Sequence, residues 1–393
     1  MSFDRLWSDI EPIGRVSSGG YRRFAWTRED HDLREWFAGQ AQARGLDLVL
    51  DRAGNQWAWW GDADSTPGLV IGSHLDSVPD GGAYDGPLGV VSAFAALDDL
   101  RAAGFTPTTP LGIVNFGDEE GARFGIACAG SRIMTGALSP DRARALTDGD
   151  GTSLAEAAQA GGIDASHLGR DDVALARVGC FVELHVEQGM GLAELGRSVA
   201  VADSIWPHGR WRIELPGEAN HAGTTRLADR NDPTLAYARV LLAAREAATR
   251  HGAVATCGKV RIDPNGVNAI PSLVTAWLDS RGPKEAAVRD VVAELSALAA
   301  ESGGSVREES WTPRTSFDPQ LRDRLVRALG YAPVLATGAG HDAGILANAG
   351  VPTAMLFVRN PSGVSHSPAE FAERDDCLAG VDALSAVVRE LAG

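Results

Sequence analysis

Five short segments of this sequence bring together side chains that bind metals or move protons. They are Gly72-Ser-His-Leu-Asp76, Tyr84-Asp-Gly-Pro87, Asp118-Glu-Glu-Gly121, Glu183-Leu-His-Val-Glu-Gln-Gly189 and Gly363-Val-Ser-His-Ser-Pro368. Gly or Pro stands beside most of the candidate ligands, so the chain can turn sharply there and aim a side chain inward. Taken singly each segment says little, because a histidine after a strand is more often structural and adjacent Glu119 and Glu120 would ordinarily be a solvated pair. The arrangement changes the reading. Of the nine histidines, His74, His185 and His366 all occupy such turns, and Asp85 and Glu120 stand in equivalent places. Three imidazoles and two carboxylates suit a pair of first-row divalent ions, with Asp85 bridging them. Two such ions ~3.5–4 Å apart can share a water, lower its pKa and polarise a carbonyl.

The elements expected to position these residues alternate in type. Asp30 to Arg44 reads as an amphipathic helix closed by Gly45, and Leu48 to Leu50 and Gln56 to Trp60 as strands around a turn. Gly68 to Gly72, Leu111 to Phe116 and Phe181 to His185 read as buried strands, with a buried helix from Leu88 to Ala103. Apolar strands separated by helices predict a mostly parallel sheet covered on both faces, which keeps its sites at strand ends. The middle of the chain differs. Strand Arg210 to Leu215, helix Asp232 to His251, strands Lys259 to Asp263 and Leu273 to Asp279, helix Lys284 to Ser302 and strand Ser305 to Ser310 follow in the order βαββαβ. This predicts a small ferredoxin-like domain over residues 208–312, inserted into a catalytic α/β domain of residues 1–207 and 313–393. From Pro319 the first pattern resumes, with helices Pro319 to Leu329 and Asp375 to Leu391 and strands Pro333 to Ala336 and Thr353 to Val358.

Composition narrows the function class. The 393 residues carry a formal net charge of −16, and lysine occurs only at Lys259 and Lys284, which counts against a nucleic-acid or anionic-membrane partner. A 44% hydrophobic fraction argues against disorder. The start of the chain lacks a signal peptide's basic and apolar regions, and the longest mostly apolar stretch is far short of the ~20 residues that span a bilayer. Cys128, Cys180, Cys257 and Cys377 lack C-x-x-C spacing, as expected of core residues in a reduced compartment. A cytoplasmic protein is expected.

In order along the chain, G-S-H-L-D-S-V-P-D-G-G-A-Y-D-G, F-G-D-E-E-G-A-R-F-G, E-L-H-V-E-Q-G, N-H-A-G-T-T, G-A-G-H-D-A and G-V-S-H-S-P resemble the motifs of the M20 metallopeptidase-type amidohydrolases. The resemblance is closer to the ureido-hydrolysing branch: N-carbamoyl-L-amino acid hydrolases, allantoate amidohydrolases and β-ureidopropionases. Two features favour that branch over the true peptidases: the short link from His74 to Asp85, and a histidine at 185 where many peptidases use a carboxylate; a peptidase or N-acyl amino acid amidohydrolase of the same family is the alternative. The resemblance implies one metal held by His74, Asp85 and His185, and a second held by Asp85, Glu120 and His366. Zinc or manganese is expected, with cobalt or nickel compatible. It also implies a metal-bridged hydroxide as nucleophile, with Glu119 as general base passing the proton to the leaving nitrogen, and release of ammonia. Asp76, two residues past His74, is expected to hold the second imidazole nitrogen, with a plain turn cap as the alternative.

By the same resemblance Asn268 and Arg281 read a substrate carboxylate and His221 stabilises the oxyanion. In this family that histidine reaches the site of the neighbouring subunit, which implies a homodimer. Gln188 and His341 match substrate-contacting positions, and each could equally be a hydrogen-bonded structural residue. Without the family, Arg281 reads as a surface arginine at a strand end. The chain departs from the pattern at Ile126-Ala-Cys-Ala129, smaller than is usual after the Glu pair, and at Ser280, next to Arg281. Arg359-Asn360-Pro361 leans toward allantoate-type members. Two other readings are weaker. Gly338-Ala-Gly-His-Asp-Ala343 fits a loose dinucleotide-binding pattern, but no Asp or Glu lies between Asp342 and Glu370 to bind a ribose. A metal-free binding protein would have lost ligands that are all present here.

Overall fold

A computed structural model describes residues 2–393. It divides into two compact units, one running to Asp203 and resuming over Ser316–Gly393, the other spanning Ser204–Thr315.

The larger unit is built on a sheet whose strands lie in the order Asp47–Leu50, Gln56–Trp60, Leu111–Phe116, Gly68–His74, Val178–Val186, Thr353–Val358, Val199–Ile205. Its centre is parallel: Gly68–His74 pairs in parallel with Leu111–Phe116 on one side and Val178–Val186 on the other, and Thr353–Val358 pairs in parallel with Val178–Val186. Antiparallel strands flank this core. Gly68–His74, Leu111–Phe116 and Thr353–Val358 are buried along their whole length, which is why they read as continuous apolar runs rather than alternating ones. Helix Pro87–Ala102 supplies the packing from one face. It starts with Pro at its first turn and buries Leu88, Val90, Val91, Phe94, Leu97 and Leu100, with the carboxy-terminal helix Arg374–Ala392 in the same apolar cluster.

Among the elements of this unit that escape the sequence reading are a helix and a strand. Helix Ser2–Ile10 buries Phe3, Leu6 and Ile10. Strand Val199–Ile205 is the other, placed beside Thr353–Val358. Pairing also extends Gly68–His74 and Val178–Val186 beyond the apolar runs, because the ladder carries polar residues to the site.

The smaller unit has the element order βαββαβ in its main sheet and two helices. Its strands lie in the order Ser305–Thr312, His208–Pro216, Leu273–Arg281, Val254–Asp263, with antiparallel pairing throughout. Trp211, Ile213, Leu215, Val274, Ala276 and Leu278 alternate inward to meet Val240, Ala244, Val288, Val291 and Leu295 of helices Pro233–His251 and Glu285–Glu301. Among the described residues no helix is long and apolar enough to cross a membrane.

Candidate metal centre and active site

The parallel strands deliver the candidate ligands side by side at their carboxyl ends. His74 ends Gly68–His74, Glu119 and Glu120 follow Leu111–Phe116, His185 is next to last in Val178–Val186, and His366 lies in the loop after Thr353–Val358. Asp85 arrives by another route, from the loop that precedes helix Pro87–Ala102. Gly86 makes that route possible. Its φ is +86°, and a Cβ there would lie 2.3 Å from the His74 ring.

Two groups of ligand atoms result, one of His74, Asp85 and His185, the other of Asp85, Glu120 and His366. Asp85 belongs to both. Its Oδ1 lies 3.1 Å from His185 Nε2 and 3.7 Å from His74 Nε2, while its Oδ2 lies 3.5 Å from His366 Nε2. His366 Nε2 is also 3.6 Å from Glu120 Oε2. A third group joins Glu183, His185 and His341.

Tautomers follow from the neighbours. The Nδ1 of His185 faces the Val186 carbonyl at 2.9 Å, and that of His74 faces the Asp76 carbonyl at 3.2 Å. A carbonyl accepts only from N–H, so both rings carry their proton on Nδ1 and turn the Nε2 lone pair inward. Those two Nε2 atoms and Glu120 Oε1 are buried without a hydrogen-bond partner among the described residues. Leaving such atoms unmade costs ~1–3 kcal/mol each. Cations held by the two groups would satisfy all three, so the residues present fit a pair of divalent metals.

Two buried carboxylates hold the ligand-bearing turns in place. Asp76 accepts from the backbone N–H of Glu119 at 3.1 Å and of Glu120 at 3.0 Å. Its Oδ1 is 3.4 Å from His74 Nδ1, so Asp76 orients that imidazole more through its carbonyl than through its carboxylate. The carboxylate is committed to the two amides. Glu370 does the same for the other turn, accepting from Tyr84 N at 2.9 Å and Asp85 N at 3.0 Å. Sequence reasoning missed Glu370: four residues past His366 in an irregular loop, nothing in its neighbours marks it. It also missed Asn55, whose Oδ1 accepts from Gly117 N at 2.9 Å and whose amide is held by Asp51.

Glu119 is buried beside the first group, with Oε2 3.7 Å from His74 Nε2. Burial, added to the charge of Glu120, pushes its pKa well above the ordinary carboxylate value despite the pull of His74. Burial, reinforced by Asp85, raises Glu120 to about 8. Asp85 goes the other way. Burial opposes its charge, but His185, His74 and His366 together hold it well below the usual range. Burial likewise opposes a charge on His74, yet Glu119 and Asp76 raise its pKa well above normal. A pocket that draws protons onto both imidazole and carboxylate is short of positive charge, which a metal would supply in competition with protons.

Gln188 donates to Asp85 Oδ2 at 2.8 Å and to Ser365 Oγ at 3.1 Å, so in this state it braces the shared carboxylate. His341 is buried with its ring 4.5 Å from that of His185, and burial with the charge of His185 keeps it well below its ordinary pKa. The loop read as a weak dinucleotide pattern thus places its histidine against the metal-type cluster. A seven-residue helix, Asp342–Asn348, follows.

In the smaller unit, His221 and Asn268 meet on one ribbon. Strand Asn220–His221 pairs with Ala269–Ile270, and Ala222 N donates to the Asn268 carbonyl at 3.0 Å. Both side chains are exposed. Arg281 ends strand Leu273–Arg281, with its guanidinium gripped at 2.7 and 3.0 Å by the carboxylate of Asp279.

The chain is similar to known proteins over nearly its whole length. The family model of peptidase family M20/M25/M40 matches residues 70–390. An N-carbamoyl-L-amino acid amidohydrolase of Geobacillus stearothermophilus is 36% identical, over 99% of this chain and 98% of its own. An allantoate amidohydrolase of Escherichia coli strain K12 is 32% identical over 98% and 96%. The crystal structure of a hydantoinase/carbamoylase family amidase from Burkholderia ambifaria superposes with a TM-score of 0.84 at 33% identity, covering 100% of this chain and 98% of that one.

Proposed function

This chain belongs to peptidase family M20/M25/M40, and from that premise we propose that it is a metal-dependent amidohydrolase of ureido carboxylates. It cleaves the C–N bond of an N-carbamoyl amino acid or allantoate and releases ammonia. The observation that carries the proposal is the sharing of Asp85 between two ligand groups, in the first of which the inward Nε2 atoms of His74 and His185 have no hydrogen-bond partner among the described residues. The names of the relatives supply the substrate class.

His74, Asp85 and His185 would hold one divalent ion, and Asp85, Glu120 and His366 the other. When bound, such a pair lowers the pKa of water and polarises a carbonyl. The chain supplies the rest. Glu119 stands beside the ligands and takes the proton from the attacking water, then returns it to the departing nitrogen. Asp76 fixes the backbone of Glu119 and Glu120 during that exchange. Gln188 and His341 border the centre and are assigned to substrate contact. Asn268 and Arg281 are assigned to the carboxylate, where Arg281 would exchange Asp279 for the substrate's own charge. His221 is assigned to the oxyanion in the site of a second copy, which makes the active form a homodimer. The four free cysteines fit a reducing, cytoplasmic setting.

Ammonia release from allantoate, N-carbamoyl-L-amino acids and N-carbamoyl-β-alanine, with zinc, manganese, cobalt and nickel in turn, tests the activity. Bound metal without turnover of any of them overturns it, and cleavage of dipeptides instead would move the chain to the peptidases. Mixing inactive Glu119→Gln and His221→Ala subunits tests the shared site. Recovered turnover supports it, and none, at equal dimer content, removes it.

A further inference from the structure

The Glu119 side chain meets a group that the proposed reaction has not used. Cys128 is buried, and its thiol donates to Glu119 Oε1 at 3.2 Å. The backbone brings the two together rung by rung: Cys128 N donates to the Glu119 carbonyl at 2.5 Å, Ala129 N to that of Asp118 at 2.9 Å and Gly130 N to that of Gly117 at 2.9 Å. Residues 128–130 therefore clamp the turn that carries Glu119. Cys128 sits just before helix Ala129–Thr135 with φ +55°, in the left-handed region. Glycine would relieve that strain but would offer no donor.

We propose that Cys128 is a positioning residue for the proton-carrying carboxylate. Its S–H binds Glu119 Oε1 and fixes the rotamer in which Oε2 faces His74. The proposal rests on Glu119 being the general base. Burial, with the charge of Glu119, pushes the Cys128 thiol well up, so it stays a donor. The thiol donates to one oxygen of the carboxylate. It can orient the carboxylate without tying up the oxygen pair that must accept and release a proton.

Steady-state kinetics of the metal-loaded enzyme separate this role from simple packing. Cys128→Ala should lower kcat roughly tenfold with little change in KM, the size expected for one lost hydrogen bond that matters in the transition state. Cys128→Ser keeps a donor and should recover kcat to within about threefold. Both variants keep the same backbone strain and both lose volume, so equal damage in the two would assign Cys128 to packing and overturn the proposal. Metal content should match the parent in both. In a Glu119→Gln background Cys128→Ala should cost less than about twofold more, because its effect passes through Glu119. A full additional tenfold loss there would also overturn it. If Glu119→Gln is crippled while Cys128→Ala is not, only the role of Cys128 falls. If Glu119→Gln turns over normally, the general-base reading falls first and takes this one with it.

Discussion

The carboxylates of the larger unit and the polar groups of the smaller one face opposite physical problems. Asp76, Asp85, Glu119 and Glu370 are almost fully buried, whereas His221 and Asn268 are open to solvent. Burying a carboxylate is costly unless it is paired or bonded, and these four have partners: amides for Asp76 and Glu370, imidazoles for Asp85, a thiol for Glu119. The exposed groups need no such support, because water satisfies them at no cost. In the larger unit, then, the chemistry and the stability are one problem. In the smaller unit they are separable.

The largest test of that contrast is Glu119→Gln. It should keep its metals and lose kcat by about three orders of magnitude, the scale of general-base catalysis. Elemental analysis alongside turnover checks both halves, and near-normal turnover defeats the role. The next concerns stability. In metal-free protein, burial and Asp85 raise Glu120 from 4.5 to about 8 and Glu370 from 4.5 to about 7. A carboxylate raised on folding contributes stability that is complete below its ordinary pKa and is lost as pH rises through the folded value. Metal-free protein should therefore weaken between pH 4.5 and 8 in the transition of the larger unit. Metal at a hundred times its Kd should restore about 2.7 kcal/mol there. Denaturant curves followed by probes in each unit measure this, and equal metal dependence in both units would erase the distinction.

The same contrast explains what could be read from the sequence. The central strands were legible because burial on both faces leaves unbroken apolar runs, as in Leu111–Phe116 and Thr353–Val358. The candidate ligands were legible because turns with Gly or Pro surround them, and Gly86 turns out to pass directly over the His74 ring. What supports the ligands was not. Glu370, Asn55 and Cys128 act across 285, 62 and 9 residues of sequence, and no local period or spacing encodes an acceptor aimed at a distant amide or a thiol aimed at a carboxylate. Asp76 was expected to hold the second His74 nitrogen with its carboxylate, but that carboxylate accepts from the amides of Glu119 and Glu120. Helix Ser2–Ile10 was silent for a related reason: Trp7 packs on Tyr84 at 4.9 Å, a contact that only the fold creates.

Arg281 sharpens the comparison from the smaller unit. Arg281→Ala should raise KM for carboxylate substrates by roughly ten- to thirtyfold, the worth of a charge-assisted pair, while leaving the melting of both units nearly unchanged. An unchanged KM would return Arg281 to its structural partnership with Asp279.

Glu370 gives the smallest effect and the finest cut, because it separates charge from hydrogen bonding within the buried unit. Its Oε1 takes two consecutive amides, and a Cβ on Gly82 would lie 2.3 Å from that oxygen, so the carboxyl sits in a fitted cradle. Glu370→Ala strips the acceptor and leaves the Tyr84 and Asp85 amides buried and unmade; metal retention against a chelator should fall by about tenfold or more. Glu370→Gln keeps a carbonyl oxygen for both amides and removes a negative charge beside Asp85, so retention should stay within about threefold of the parent. If the two variants lose metal equally, the charge of Glu370 matters and its clamp does not. If only Ala loses it, the turn carrying Asp85 is held by hydrogen bonds alone, and a buried acid has been kept for its shape.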